Sequence, residues 1–271
     1  MPFVIRSTTR RVATTLLVVG LATSGAGCLF KSKPKAPAAG AVDADKYLFT
    51  KGSEQIQKKN WVTAREYFKR IVDSYPQSIF RADAKLGVGD SYLGEGRMDS
   101  LILAVNEFRE FLQFFPLNPR ADYAQYRLTL AQSKQMLNAE RDQTATHDTL
   151  TEVQKFYDNF PKSDYKPEVD KVYRSARDRL SESEFHVGLL YYRGHGMAGA
   201  LGRFTGVLND DPDYSKRDQV YFYTAEACMK LALKPQAQQY YEKLVAEYPK
   251  SKFTKTAQAR LTTMKATETK K

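Results

Sequence analysis

Ala64-Arg65-Glu66-Tyr67-Phe68-Lys69-Arg70-Ile71-Val72-Asp73-Ser74-Tyr75-Pro76 contains a phrase that the chain repeats five times. A small residue stands twelve positions before a proline, a large apolar residue eight before it and another five before it. The prolines are Pro76, Pro116, Pro161, Pro212 and Pro249. Ala64, Ala104, Thr149, Ala200 and Ala237 hold the small position. Phe68, Phe108, Val153, Phe204 and Tyr241 follow, then Ile71, Phe111, Phe156, Val207 and Leu244. The residue before the proline is aromatic in four copies (Tyr75, Phe115, Phe160 and Tyr248), and only Asp211 departs. A repeat of roughly 35–50 residues means stacked supersecondary units rather than one closed core, and stacked arrays are built to bind other chains.

Within each copy the apolar positions fall on one helical stripe; Trp61, Ala64, Phe68, Ile71 and Tyr75 are an example. Each proline drives its predecessor out of the helical region, so a helix ends there. Asn60, Ser78 and Asn118 read as helix starts, the last with Pro119 in the first position. The spacing predicts helices over 46–59, 61–75, 79–95, 98–115, 119–140, 146–160, 165–193, 197–209, 217–231, 235–248 and 252–265. Sustained two-residue alternation is missing. The expected fold is all-α, an α-solenoid of about five helix pairs plus a C-terminal capping helix. Gly87 and Gly89 inside a helix read as sites of close helix approach, and Cys228 as a small buried hydrophobe. Tyr92, Tyr123, Tyr126, Tyr191 and Tyr192 lie outside the repeat register and are candidates to line a groove.

The first residues read as a targeting segment. Arg6, Arg10 and Arg11 precede an apolar run, Val12 to Ala22, that is too short to span a bilayer. Ser24-Gly25-Ala26-Gly27 then leads to Cys28, the pattern of a bacterial lipobox, so Cys28 is the expected lipidation site. The expected organisation is a signal peptide over 1–27, a lipidated Pro/Ala/Lys-rich tether over 28–45, the repeat array over 46–265 and a disordered tail over 266–271. The formal charge is +11, or +8 once the three arginines of the first 27 residues are removed. Such a balance suits acidic protein surfaces or anionic headgroups.

Chemistry is not expected. Gly194-His195-Gly196-Met197-Ala198-Gly199 spells a dinucleotide fingerprint, but helical sequence precedes it where a strand is required. It reads as a turn. His147, His186 and His195 lack partners at metal-ligand spacing. No nucleophile–base arrangement stands out, and basic residues do not interleave with aromatics as in nucleic-acid binders. We therefore expect a non-enzyme with no metal, no cofactor and no nucleic acid.

Three stretches resemble the BamD family, the tetratricopeptide lipoproteins of the outer-membrane protein assembly machine. They are Asn118-Pro119-Arg120-Ala121-Asp122-Tyr123-Ala124-Gln125-Tyr126; Arg141-Asp142-Gln143-Thr144 with the helix ending Asn159-Phe160-Pro161-Lys162-Ser163-Asp164-Tyr165; and Glu184-Phe185-His186-Val187 with Tyr191-Tyr192-Arg193-Gly194. The resemblance implies tetratricopeptide-like pairs and a lipid-anchored place on the periplasmic face of the outer membrane. It also implies C-terminal repeats that dock on a periplasmic domain of a BamA-like barrel assembly protein. Arg203 matches the arginine that pairs with an acid on that domain. The N-terminal repeats, with Tyr75, Phe80 and Tyr92, would receive unfolded outer-membrane proteins or accessory lipoproteins. The alternative is another repeat lipoprotein, such as a secretin pilot or a cell-envelope coordination protein. Gly188, the extra glycines of 194–200 and Asp211 depart from the family pattern.

Overall fold

The computed structural model describes residues 43–268. By its contacts the chain divides into two units, Met1–Pro37 and Ala38–Lys271. The expected signal peptide, Cys28, nearly all of the expected tether and the last three residues lie outside the described residues. Among the described residues there are eleven helices and no strand. They are α1 (Ala44–Gln57), α2 (Trp61–Ser74), α3 (Arg81–Glu95), α4 (Met98–Phe114), α5 (Ala121–Ser133) and α6 (Thr144–Asn159). Then follow α7 (Lys166–Arg193), α8 (Met197–Asp210), α9 (Arg217–Lys230), α10 (Lys234–Glu247) and α11 (Thr254–Glu268).

Every helix packs on the next, while α1, α3, α5 and α7 also touch in succession. From α1 to α7 the odd-numbered helices thus share one layer, the arrangement of an α-solenoid. The repeated phrase forms its core. All fifteen residues at the small, large and second apolar positions are at most 3% exposed. In three copies the large residue, a phenylalanine, presses onto a glycine of a neighbouring helix. A Cβ on Gly52 of α1 or on Gly87 of α3 would lie 2.6 Å from the Phe68 ring; on Gly89 it would lie 2.7 Å from Phe108, and on Gly188 2.5 Å from Phe204. Gly188 therefore has a local cause: Phe204 occupies the space a methyl would need. Cys228 is buried among Tyr241, Leu244 and Ala257, and burial pushes its thiol up.

Three of the helix turns within pairs, α1–α2, α7–α8 and α9–α10, share one geometry. Lys59, His195 and Ala232 adopt left-handed φ of 58–63°. In the last, the Ala232 N–H donates to Met229 O and the Leu233 N–H to Cys228 O, at 3.1 and 2.9 Å. This doubly bonded ending usually carries glycine, because a Cβ is strained there. Gly194-His195-Gly196 is such a turn, as its helical setting predicts, but the strained φ falls on His195. The glycines at 196 and 199 instead make room for the Tyr191 ring. We predict that Ala232→Gly stabilises the protein by about 1 kcal/mol, seen as a rise of a few degrees in the thermal midpoint; a lower midpoint would count against the strain.

Helix α2 starts at Trp61 as expected but without the side-chain cap, and several other helix limits differ from expectation. Asn60 occupies the cap position, but its amide donates to Gln55 Oε1 at 2.8 Å instead of capping α2. Ser78 and Asn118 sit inside tight turns, where Ser78 Oγ accepts the Phe80 N–H at 3.1 Å and Asn118 Oδ1 the Arg120 N–H at 2.9 Å. Helices α3 and α5 consequently begin at Arg81 and Ala121. The expected helix 119–140 stops at Ser133. Side chains capture the freed carbonyls beyond it: Arg179 donates to Leu137 O at 2.9 Å, and Gln143 to Asn138 O and Arg141 O at 2.9 and 2.8 Å. At the ends of the array, α1 begins at Ala44 and α11 reaches Glu268, each slightly beyond the expected limits.

Turns between pairs are stapled across the repeat. Ser78 donates to Asp45 at 2.5 Å, Ser163 to Asp122 at 2.7 Å and Ser251 to Asp218 at 2.6 Å. Arg120 bonds Asp83 at 2.8 Å in the second turn, and the Ser215 N–H bonds Asp178 at 3.0 Å in the fourth. These bonds fix the stacking of successive pairs.

Candidate docking site

Arg203 lies on α8, half-exposed, and its Nη1 donates to Glu184 Oε2 of α7 at 2.7 Å. That carboxylate, with Tyr191 nearby, raises the guanidinium further above its ordinary value. Arg203 opens onto a cleft of about 680 Å³ between the start of α6 and the facing sides of α7 and α8. Gln143 and His147 form one wall, Arg177, Ser181 and Glu184 the floor, and Arg203 and Asp210 the other wall. Gly202 and Gly206 also line it, and a Cβ at either would meet nothing within 4 Å. A docking group can therefore approach the α8 backbone closely.

Beneath this cleft, Asp211 finds its explanation. The carboxylate is buried and accepts from Arg174 Nη2 and from Ser181 Oγ, the latter at 2.6 Å. Arg174 also pairs with Asp178 at 3.0 Å. Burial alone would raise the Asp211 carboxyl, but the Arg174 and Ser181 hydrogen bonds outweigh it and hold the group below the usual range. An aromatic at this position packs in the other copies. Here the 28-residue α7 brings polar partners to the same place.

The three candidate N-terminal groove residues are engaged differently. Tyr92 is only 9% exposed; the Arg65 guanidinium covers its ring at 3.9 Å, and Lys69 donates to its hydroxyl at 3.2 Å. It is a packing element and does not line an open groove. Phe80 is half-buried and stacks on Phe49 with ring centroids 5.1 Å apart. Tyr75 is half-buried at the end of α2. Among the described residues no ring contact joins the three.

Of the other off-register tyrosines, Tyr192 packs on Tyr223 with Lys230 above it, and Tyr191 is exposed beside α8. Tyr126 stacks on Tyr165, and Tyr123 meets the same ring edge-on. Sequence reasoning missed the polar cluster that Tyr123 completes. Its hydroxyl donates to Asp90 Oδ2 at 2.8 Å, and Arg127 Nε donates to Asp90 Oδ1 at 2.7 Å. Burial outweighs both partners and pushes the Asp90 carboxyl up, while burial and Asp90 push the Tyr123 phenol up. The available signal was an acid at 90 facing a tyrosine one repeat later.

An array of helix pairs, each helix packed on the next, with open clefts along it defines an α-solenoid repeat protein. Residues 42–243 match the YfiO family, described as an outer membrane lipoprotein, and the chain belongs to that family. Among its curated relatives, "Outer membrane protein assembly factor BamD" of Caulobacter vibrioides is 26% identical over 84% of this chain and 73% of its own length. The protein of the same name from Rickettsia prowazekii is 23% identical over 90% of this chain and 93% of its own. Solved structures are more distant. The TPR2AB domain of yeast Sti1, in complex with a pHSP90, is 14% identical over 81% of this chain and 85% of that one, with a TM-score of 0.43. MamA is 15% identical over 77% and 94%, with a TM-score of 0.34. The fold assignment rests on the helix pairs themselves.

Proposed function

We propose that this protein acts in outer-membrane protein assembly as a non-catalytic periplasmic scaffold, held to the outer membrane by acyl chains on Cys28. The observation that carries the proposal is the family match across residues 42–243, which takes in nearly the whole repeat array. In this reading the C-terminal repeats dock on a periplasmic domain of a BamA-like barrel assembly protein, with Arg203 pairing an acid there. The N-terminal repeats receive unfolded outer-membrane proteins or accessory lipoproteins. No helix among the described residues is long and apolar enough to cross a membrane. Several acyl chains on one cysteine would supply the anchor, since each buried CH₂ contributes roughly 0.8 kcal/mol.

Arg203 suits the role because its planar fork can hold a carboxylate with two hydrogen bonds. Its pair with Glu184 is half-exposed on both sides, and such pairs contribute only ~0–1 kcal/mol. Exchanging Glu184 for a partner's acid therefore costs little. Arg203→Glu is expected to weaken docking by about 2–5 kcal/mol with helicity unchanged. Titration against the periplasmic domain of the barrel assembly protein, with circular dichroism alongside, checks this; an unchanged affinity would remove Arg203 from the interface. Cys28→Ala is expected to release the protein from vesicles and membranes, and continued flotation of the isolated variant would argue against the anchor. Co-purification from native membranes tests the whole proposal: a barrel protein with periplasmic domains supports it, and a secretin in its place would overturn it.

A further inference from the structure

We infer that the turn edge of the first two repeats rests on the lipid surface, with Ile79, Phe114 and Leu117 entering the headgroup boundary. The inference rests on the proposed acylation of Cys28. Ile79 is 85% exposed at the tip of the turn between α2 and α3. Leu117 is 96% exposed at the tip of the next turn, and Phe114 beside it is 65% exposed. One large apolar side chain in solvent is ordinary, but three along one edge mark an interaction surface.

Hydrogen bonds place the three together and beside the entry of the tether. Asp45, in the first turn of α1, accepts from Ser78, the residue before Ile79. The chain arriving from Cys28 therefore joins the array at the Ile79 turn. Asp83, four residues after Ile79, is bonded by Arg120, three residues after Leu117, at 2.8 Å. That bond sets the second turn alongside the first. Only residues 29–43 separate Cys28 from α1, so the chain reaches at most about 50 Å at ~3.3 Å per residue. The edge at which the tether joins the array is thus the apolar one.

The later turns on this register carry exposed charges instead: Lys162 and Asp164, then Asp213, then Lys250 and Lys252. Apolar tips on this register are confined to the first two of these turns, at the end of the array that the tether joins. A few interfacial apolar side chains add little alone but orient a protein that acyl chains already tether. The edge would fix the roll of the solenoid on the membrane and turn its remaining faces toward the periplasm.

The test uses the full-length acylated protein in phosphatidylethanolamine–phosphatidylglycerol vesicles. Ile79→Cys, Leu117→Cys and Lys162→Cys are each labelled with an environment-sensitive fluorophore; Cys228 is buried and does not compete. The expected result is blue-shifted emission at positions 79 and 117, largely lost when the vesicles carry nitroxide lipids, with no change at 162. If the protein floats with the vesicles and all three labels report water, the edge does not touch lipid and the inference fails. A blue shift seen only in the complex extracted with its partners, and insensitive to nitroxide lipid, would assign the edge to a protein and overturn it too. If the protein does not float at all, the anchoring proposal itself is wrong and this inference falls with it.

Discussion

Phe68→Ala is expected to cost about 3–5 kcal/mol, and the loss should appear first at the N-terminal end of the array. Phe68 is buried between two glycines on different helices, Gly52 of α1 and Gly87 of α3, and its ring meets Phe49 at 5.8 Å. Removing the ring leaves a hole that glycine faces cannot fill, because they have no side chain to move inward. In a repeat array each unit is held by its neighbours, so α1 and α2 lose most of their support while the cluster from Phe185 to Met264 keeps its own core. Hydrogen exchange should therefore accelerate over α1 to α3 well before α8 to α11. Uniform loss of protection along the chain, or a change below ~1 kcal/mol in chemical denaturation, would contradict the wedge. The reciprocal change, Gly87→Val, should also destabilise, by about 1–3 kcal/mol, because a Cβ there lies 2.6 Å from the same ring.

The second large effect is expected at the polar exception. Asp211→Ala should cost about 2–3 kcal/mol, because it leaves the buried Ser181 hydroxyl without its acceptor and the partly exposed Arg174 without one of its two carboxylates. Arg174 would retain Asp178, but its Nε already lacks a partner. The same pair predicts acid sensitivity. The folded carboxyl lies below its ordinary value, so its contribution is full above the unfolded pKa near ~4. It is lost as pH falls through the folded value. The stability difference between wild type and Asp211→Asn should be constant from neutral pH to about pH 5 and shrink at lower pH. A difference that grows on acidification would mean the carboxylate is not the stabilising form. Docking through the α7–α8 cleft should be sensitive to the same substitution, since Ser181 both donates to Asp211 and lines the cleft.

Much of the architecture was legible before any coordinates. The repeat positions at Ala64, Phe68 and Ile71 and their four echoes are buried as the periodicity requires. The long α7, the turn at Gly194-His195-Gly196 and the buried Cys228 also follow the expectation. The failures cluster where side chains compete with the backbone. Asn60, Ser78 and Asn118 resemble caps in sequence, but their polar groups bond neighbouring turns or side chains. The helix expected to reach 140 ends at Ser133, and Arg179, 42 residues away in sequence from Leu137, takes a carbonyl beyond that end. For the candidate sites, Arg203 stands on an open cleft, whereas Tyr92 is sealed under Arg65. Both residues look alike in sequence: each is a polar-tipped side chain on an amphipathic helix.

What the sequence alone determined is the secondary structure, the pairing of helices and the residues of the core. Those depend on periodicity within a few turns and on prolines that end helices where they stand. What only the tertiary structure decided is which polar groups meet and which apolar groups stay in solvent. Asp45 with Ser78, Asp83 with Arg120 and Asp211 with Arg174 are each 33 to 37 residues apart. Their meeting is set by how helices stack within one pair and from one pair to the next. The exposed row of Ile79, Phe114 and Leu117 is a product of that stacking too, because no local pattern says which turns will stand side by side.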